Sequence, residues 1–343
     1  LRPRCRRAAT PSACWPACTS RATSAAPPVP GADLPGVVDS DGILQITSLP
    51  EELLVIGGGV IGLEFACIFS GLGSKVTVVE MLPCLAPAMD TDISRRFLQM
   101  LKRSGVQVFV KTRVARLEKH GAKLSAVLER KDDGAEDRVA ADLVLLATGR
   151  VPAAPGIDAA ALGLAMEGKA VKVNGRMETS VPGIYAVGDC TGGVQLAHAA
   201  VVQGTVAAAN ALGDDREADL SVVPHCIFSY PEMAAVGLGE DEAKKLGRDV
   251  TVSKFPYTAL GKAVAVHETA GLIKLVADKK TGTLLGGQIL GHAATELVAE
   301  VALAVRNGLR AADVAGTIHA HPTLAEGVME AAHGIGGRPL HLA

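Results

Sequence analysis

Three groups of residues have the types and spacings that chemistry requires. The first lies in LLVIGGGVIGLEFACIFSGLGSKVTVVE, residues 53–80. An apolar run ends with Gly57, Gly59 and Gly62 at the G-x-G-x-x-G positions. An apolar helix-like run follows, and a second apolar run closes on Glu80. Read as strand, turn, helix and strand, this is a dinucleotide site. The first glycine allows a tight turn, the second lets backbone approach a pyrophosphate, and the third brings the helix against the sheet with its N-terminus facing the phosphates. A carboxylate at Glu80 would accept hydrogen bonds from a ribose 2′-OH and repel a 2′-phosphate, which favours NAD over NADP. The competing reading is a glycine-rich turn with no function.

The second group is Gly188-Asp189, closing the apolar stretch TSVPGIYAVGD. A strand ending in Gly-Asp presents a carboxylate at the C-terminal edge of a sheet, where open α/β sheets bind ligands. Equally, the acid could cap the small-residue helix expected over 197–212, and the residues alone leave the two even. The third group is IHAHPTLAE, residues 318–326. Pro322 is expected to hold His321 extended and to sit in the first turn of a helix carrying Glu326. A carboxylate one turn away orients an imidazole and raises its basicity, as a general base requires. The alternative is a structural His–Glu pair. His292, beside Gly291, reads as a cap or surface group.

These groups need elements to position them. The chain has 343 residues, 48% hydrophobic, with a formal net charge of −2. That suits two or three α/β domains and gives no electrostatic reason to invoke nucleic acid. No apolar run reaches the roughly 18–20 residues of a membrane span. Of seven cysteines, Cys67, Cys84, Cys190 and Cys226 lie in or beside apolar segments and read as buried, inert thiols. No Cys/His pair has zinc-site spacing, so no metal site is expected.

Residues 1 to about 30 hold five arginines and three cysteines, with no acid before Asp33. A transit peptide is one reading; a disordered tail is the one taken, and Cys14-x-x-x-Cys18 matches no redox motif. Residues 27–38 read as an extended, Pro-braced connector. A helix is expected over 92–104, a strand over 106–110, a hairpin over 114–130 around His120-Gly121, and a strand over 142–149. Beyond Val222, short strands at 272–277 and 284–290 and a helix at 295–306 suggest an α+β domain.

Taken together, IGGGVIGLEFA with VTVVE, LLATGRVP, TSVPGIYAVGDCTGGVQLAH and HAHPTLAEGVMEAA resemble the pyridine nucleotide–disulfide oxidoreductases, on the branch that oxidises dihydrolipoamide. The resemblance runs from about Ala22 to the C-terminus. It implies an α/β fold in which a Rossmann-like NAD-binding domain (49–150) is inserted in the remnant of an FAD-binding domain, with 22–48 the connector from that domain and 151–221 its second segment. An α+β dimerisation domain (222–343) follows, and residues 1–21 match nothing. It further implies that Gly57, Gly59, Gly62 and Glu80 bind NAD, that Val114 and Gly149 line that site, and that Glu64 lies near the nicotinamide and flavin. Asp189 would hold the FAD ribityl chain, with Gln195, Leu196, Ala197 and His198 along the flavin. His321 would take a thiol proton in the partner's active site, oriented by Glu326. The implied partners are a second copy of the chain and the lipoyl domains of 2-oxoacid dehydrogenase complexes. The implied location is cytoplasmic, or the mitochondrial matrix in a eukaryote. Leu324 and Glu80 favour the lipoamide and NAD branch over glutathione reductase-like relatives.

Members of this family begin with an FAD fingerprint followed by Cys-x-x-x-x-Cys. Neither occurs here: no cysteine has another five positions on. The expectation is a gene fragment or frameshifted start, inactive alone towards dihydrolipoamide. One rival is a non-catalytic, NAD-binding, dimerising remnant. Another is a mercuric reductase-like or transhydrogenase-like relative, although GIGGRPLHLA at the C-terminus has no cysteine pair for metal handling.

Overall fold

The computed structural model describes residues 21–25, 27–132 and 134–342. The Cys14–Cys18 spacing and most of the tail reading lie outside the described residues. Contacts divide the described residues into two units, one joining 24–149 with 221–342, the other joining 150–220 with 21–23.

In the larger unit a parallel sheet has β2 (Val37–Val38) at one edge, then β9 (Leu143–Leu146), β3 (Glu52–Ile56), β4 (Lys75–Val79) and β5 (Gln107–Phe109). Strands covered on both faces read as near-continuous apolar runs, as Leu53–Ile56 of β3 does, while β4 after its first residue is broken only by Thr77. Alternation along β3 divides its side chains between two cores. Leu53 and Val55 pack with helices α1 (Val60–Gly71) and α2 (Thr91–Arg103). Leu54 and Ile56 pack against the antiparallel meander β6 (Thr112–His120), β7 (Lys123–Arg130) and β8 (Glu136–Ala141). On α2, Ile93, Phe97 and Leu101 recur at four-residue spacing and are all buried, as an amphipathic helix requires.

The same unit contains a second, antiparallel sheet, ordered β13 (His225–Ile227), β14 (Met233–Gly237), β17 (Leu284–Leu290), β16 (Leu272–Asp278) and β15 (Val250–Pro256). Short helices α4 (Glu240–Lys245) and α5 (Gly261–Ala265) connect its strands. Helices α6 (Ala294–Arg306), α7 (Ala311–Ala315) and α8 (Glu326–Ile335) cover one face, burying Val298, Val301 and Val328 against Phe255, Ile273 and Leu275. The opposite side contributes Ile227, Met233, Ala235, Leu272 and Leu290 to the core that holds Leu53 and Val55.

The smaller unit carries β10 (Arg150–Ala153), paired with β1 (Arg21–Ser24), the two-residue strands β11 (Met166–Glu167) and β12 (Ala170–Val171), and helix α3 (Ala197–Ala211). Among the described residues no helix is long and apolar enough to cross a membrane.

Five expectations need correction. The tail reading runs too far, because residues 21–24 form β1. Residues 30–36 are a series of tight turns leading into β2 rather than part of an extended connector, since Ala32, Leu34 and Val37 each donate to a carbonyl three residues back. The apolar residues 184–187 form no strand; Tyr185 makes one isolated bridge to Glu178, and a 3-10 turn follows over Gly188–Thr191. Asp189 does not cap α3, whose N-cap is Leu196 with no side-chain bond. Pro322 is not in the first turn of α8, which begins at Glu326. The Glu326 carboxylate turns back to the preceding loop, meeting the His321 ring and the Thr323 N–H; the His321–Pro322 peptide is cis.

Candidate functional site

Strand β3 delivers its chain into the glycine turn. Gly57 has φ +116°, which only glycine adopts without strain, and donates its N–H to the Val79 carbonyl at 2.9 Å. A Cβ on Gly57 would collide with the Ala147 carbonyl, and one on Gly62 with the Gly57 carbonyl. Backbone contact at these two positions joins the turn to β9 and to α1. Gly59 is the N-cap of α1, and a Cβ there would meet nothing within 4 Å. Open space at the head of a twelve-residue helix, with no side chain capping it, is the cradle a phosphate fills. The residues present therefore fit a dinucleotide.

Glu80 is buried, and both of its carboxylate oxygens are engaged. Oε2 accepts the Gly58 N–H at 2.6 Å and Oε1 the Leu82 N–H at 2.7 Å. The acid thus ties the glycine turn to the loop after β4. Each oxygen keeps a lone pair for a further donor. Val114 is buried and packs with Ile56 and Val79, the last residues of β3 and β4. Gly149 has φ +130° and open space about its Cβ position. Glu64, on α1, accepts the Phe228 N–H at 2.9 Å. One turn on, the Cys67 thiol is pushed up by burial, which keeps it protonated and unreactive; burial does the same for Cys226.

In the smaller unit Asp189 lies half-buried in the 3-10 turn, after Gly188 at φ +73°. The Gly188 N–H donates to Gln203 Oε1 at 2.6 Å, fixing the turn on α3. Asp189 has no side-chain partner among the described residues. The buried Nε2 of Gln195 also lacks one. A buried, unpaired amide donor costs about 1–3 kcal/mol, so it marks a place for an acceptor from outside the unit. Leu196, Ala197 and His198 follow at the start of α3, the last two exposed.

The third group forms around α8. His321 Nδ1 lies 2.8 Å from Glu326 Oε1, and Glu326 Oε2 accepts the Thr323 N–H at 2.8 Å. Burial pushes the Glu326 carboxyl up, but the Thr323 N–H and the His321 ring outweigh it and hold it below its usual range. With Nδ1–H donated to Glu326, the Nε2 lone pair of His321 is left on an imidazole whose side chain is 77% exposed. His292 is exposed, and the N-cap of α6 is Ala293, so the surface half of its reading stands.

Two features escaped the sequence. His319 is paired with Glu300, and Lys274, 0% exposed, lies 2.8–2.9 Å from Asp90, Asp92 and Glu240. A single lysine inside the apolar run LIKLVAD was the one available signal for the latter. Among the described residues no group of three or more His, Cys, Asp or Glu could hold a metal.

The pyridine nucleotide–disulphide oxidoreductase model matches residues 19–204, and the dimerisation domain of the same family matches residues 223–332. Dihydrolipoyl dehydrogenase of Thermus scotoductus is 40% identical over 308 residues, 89% of this chain and 67% of that protein. That of Bacillus subtilis is 39% identical, over 86% of this chain and 64% of its own length. A mitochondrial dihydrolipoyl dehydrogenase of Arabidopsis thaliana is 36% identical, over 89% and 61%. The chain thus spans between three-fifths and two-thirds of the length of these relatives. Among solved structures, the HOCl-induced flavoprotein disulfide reductase RclA of Escherichia coli superposes with a TM-score of 0.84 at 30% identity, covering 92% of this chain and 72% of that one. LpdA of Mycobacterium tuberculosis gives 0.81 at 29%, covering 91% and 68%. The two family models together match most of the chain, and relatives share up to 40% identity with it: the chain belongs to the pyridine nucleotide–disulphide oxidoreductases.

Proposed function

We propose that the chain is the nucleotide-binding and dimerisation portion of a dihydrolipoyl dehydrogenase-type oxidoreductase, with dihydrolipoamide as dithiol donor and NAD⁺ as acceptor. The observation that carries this reading is the His321–Glu326 pair. A dinucleotide turn serves any dehydrogenase, whereas an exposed imidazole oriented by a carboxylate is what thiol chemistry needs. Glu326 fixes the tautomer by accepting the Nδ1 proton, and Nε2 takes the proton of a thiol, making the thiolate that attacks a disulfide. The base acts in trans, in a homodimer formed through residues 222–343.

The family uses FAD and NAD(H). Gly57, Gly59, Gly62 and the first N–H groups of α1 hold the NAD pyrophosphate, Glu80 its ribose, and Val114 and Gly149 the walls of the site. Glu64 stands by the nicotinamide. Asp189 and Gln195–His198 hold part of the FAD, which when bound supplies the two-electron carrier between dithiol and pyridine nucleotide. The NAD-binding domain is 49–150, and 22–48 with 151–221 belong to the FAD-binding domain. Lipoyl domains of 2-oxoacid dehydrogenase complexes are the proposed partners. No cysteine here has another five positions on, so these residues supply the exit port and the base but no dithiol acceptor.

The test is to mix the purified chain with FAD, remove free flavin and record the spectrum. Stoichiometric flavin, bleached by NADH and untouched by dihydrolipoamide, is expected. No retained flavin would confine the chain to NAD binding and association.

A further inference from the structure

His319 is the part of the His-x-His motif that the proposed chemistry leaves unused. Its side chain is 6% exposed, against 77% for His321 two residues on. Nδ1 lies 2.8 Å from the Thr317 carbonyl and Nε2 lies 2.8 Å from Glu300 Oε1, on α6. A carbonyl only accepts, so Nδ1 carries a proton and donates it. The ring therefore spans from its own chain to a helix nineteen residues earlier in the sequence.

The segment it holds has little else to hold it. Residues 318–322 lie in no helix or strand and make no backbone–backbone hydrogen bond. Upstream, Thr317 is tied to α7 by its N–H on the Val314 carbonyl and its hydroxyl on the Asp313 carbonyl. Downstream, Thr323 donates its N–H to Glu326 and its hydroxyl to the Ala320 carbonyl. Between these ends Ile318 is 97% exposed and contributes no packing. The imidazole of His319 is the buried anchor in the middle, and it sits two residues from the imidazole that must be presented to a thiol.

We propose that His319 is a positioning residue, whose bridge from the Thr317 carbonyl to Glu300 fixes the backbone that presents His321. The proposal rests on His321 acting as the base. The His319 ring is taken up by the Thr317 carbonyl and Glu300, so its effect reaches the reaction through the loop. Side-chain anchors of this kind are what keep a reacting group within a fraction of an ångström of its productive place.

The test is nuclear magnetic resonance of the full chain and three variants, reading backbone order parameters over 317–323 and the ring signals of His321. In the unmodified chain the loop should be rigid, with order parameters of about 0.85. In His319→Ala, and in Glu300→Ala, they should fall below about 0.6, and the His321 ring signals should move towards those of a free imidazole. Amides of α6 and α8 should keep their positions. Glu300→Gln should stay rigid, because its amide can donate to Nε2 while Nδ1 still donates to Thr317. An unchanged loop in folded His319→Ala would overturn the proposal. So would a rigid loop in Glu300→Ala, should His319→Ala fail to fold, or equal loosening in Glu300→Gln and Glu300→Ala. None of these readouts needs a thiol or a cofactor, so failure of the base assignment would leave them as they stand.

Discussion

A methyl group on Gly57 or Gly62 would strike a backbone carbonyl, while one on Gly59 would enter open space. The three glycines should therefore part company when changed to alanine. Gly57→Ala and Gly62→Ala are expected to lose about 1–3 kcal/mol of stability, read as a lowered midpoint in urea. Gly59→Ala should keep the midpoint and weaken NAD⁺ binding tenfold or more, because its methyl fills the phosphate's place. At the other site, Glu326 has a carboxyl held below its usual value, so what its ionised form contributes is present above about pH 4.5. That contribution is lost as pH falls through the lowered value, and the His321 ring signals should report the loss. These residues were legible in the sequence because their chemistry depends on residue type at short, fixed spacing. Asp189 was half legible: Gly-Asp was visible, but a single bridge at Tyr185 in place of a strand depends on contacts that no local pattern encodes. His319 was missed because its meaning lies in Glu300, on another helix.

At the scale of elements, the start of α2 is bound to the second sheet through charge. Lys274 in β16 reaches Asp90, Asp92 and Glu240, Lys254 lies 2.5 Å from Asp92, and the Asp90 N–H donates to Gln288 at 2.9 Å. Burial lowers the Lys274 pKa, but the hydrogen bonds it donates to Asp92, Glu240 and Asp90 outweigh it and hold the ammonium charged. Removing one member of a buried charge network leaves the others uncompensated, at about 3–5 kcal/mol. Lys274→Met should lose stability on that scale in denaturant, and restoring the length without the charge should not help. On the acid side, burial raises the Asp92 carboxyl, yet Lys254 and Lys274 bring it down to about 2. A depressed carboxyl stabilises above its unfolded value and stops doing so as it is protonated. Acid titration should therefore show stability falling between about pH 4 and about pH 2, and Asp92→Asn should remove that part of the fall. Around this network α2 was readable from its four-residue period and β16 and β17 as runs bracketing the turn at 279–282, whereas β15 and α4 were not read. The network was not, because Lys274 and Asp92 stand 182 residues apart.

For the whole molecule, the proposed function makes the glycine turn and Glu80 an exit port for hydride and puts the base on the loop before α8. Residues 223–332 match the family's dimerisation domain, so sedimentation should show a dimer, and its dissociation on dilution should leave NAD⁺ binding intact. The sequence could show where each station stands along the chain. It could not show that both sheets of the larger unit share one core, because Leu272 and Leu290 become neighbours of Leu53 only on folding. The proposed function requires the turn to take NAD and to refuse a 2′-phosphate through Glu80. Its most direct test is calorimetric titration of the purified chain with NAD⁺ and with NADP⁺. One NAD⁺ should bind per chain and NADP⁺ at least tenfold more weakly, with the difference erased in Glu80→Gln. Equal affinity for the two nucleotides, or binding of neither, would contradict it.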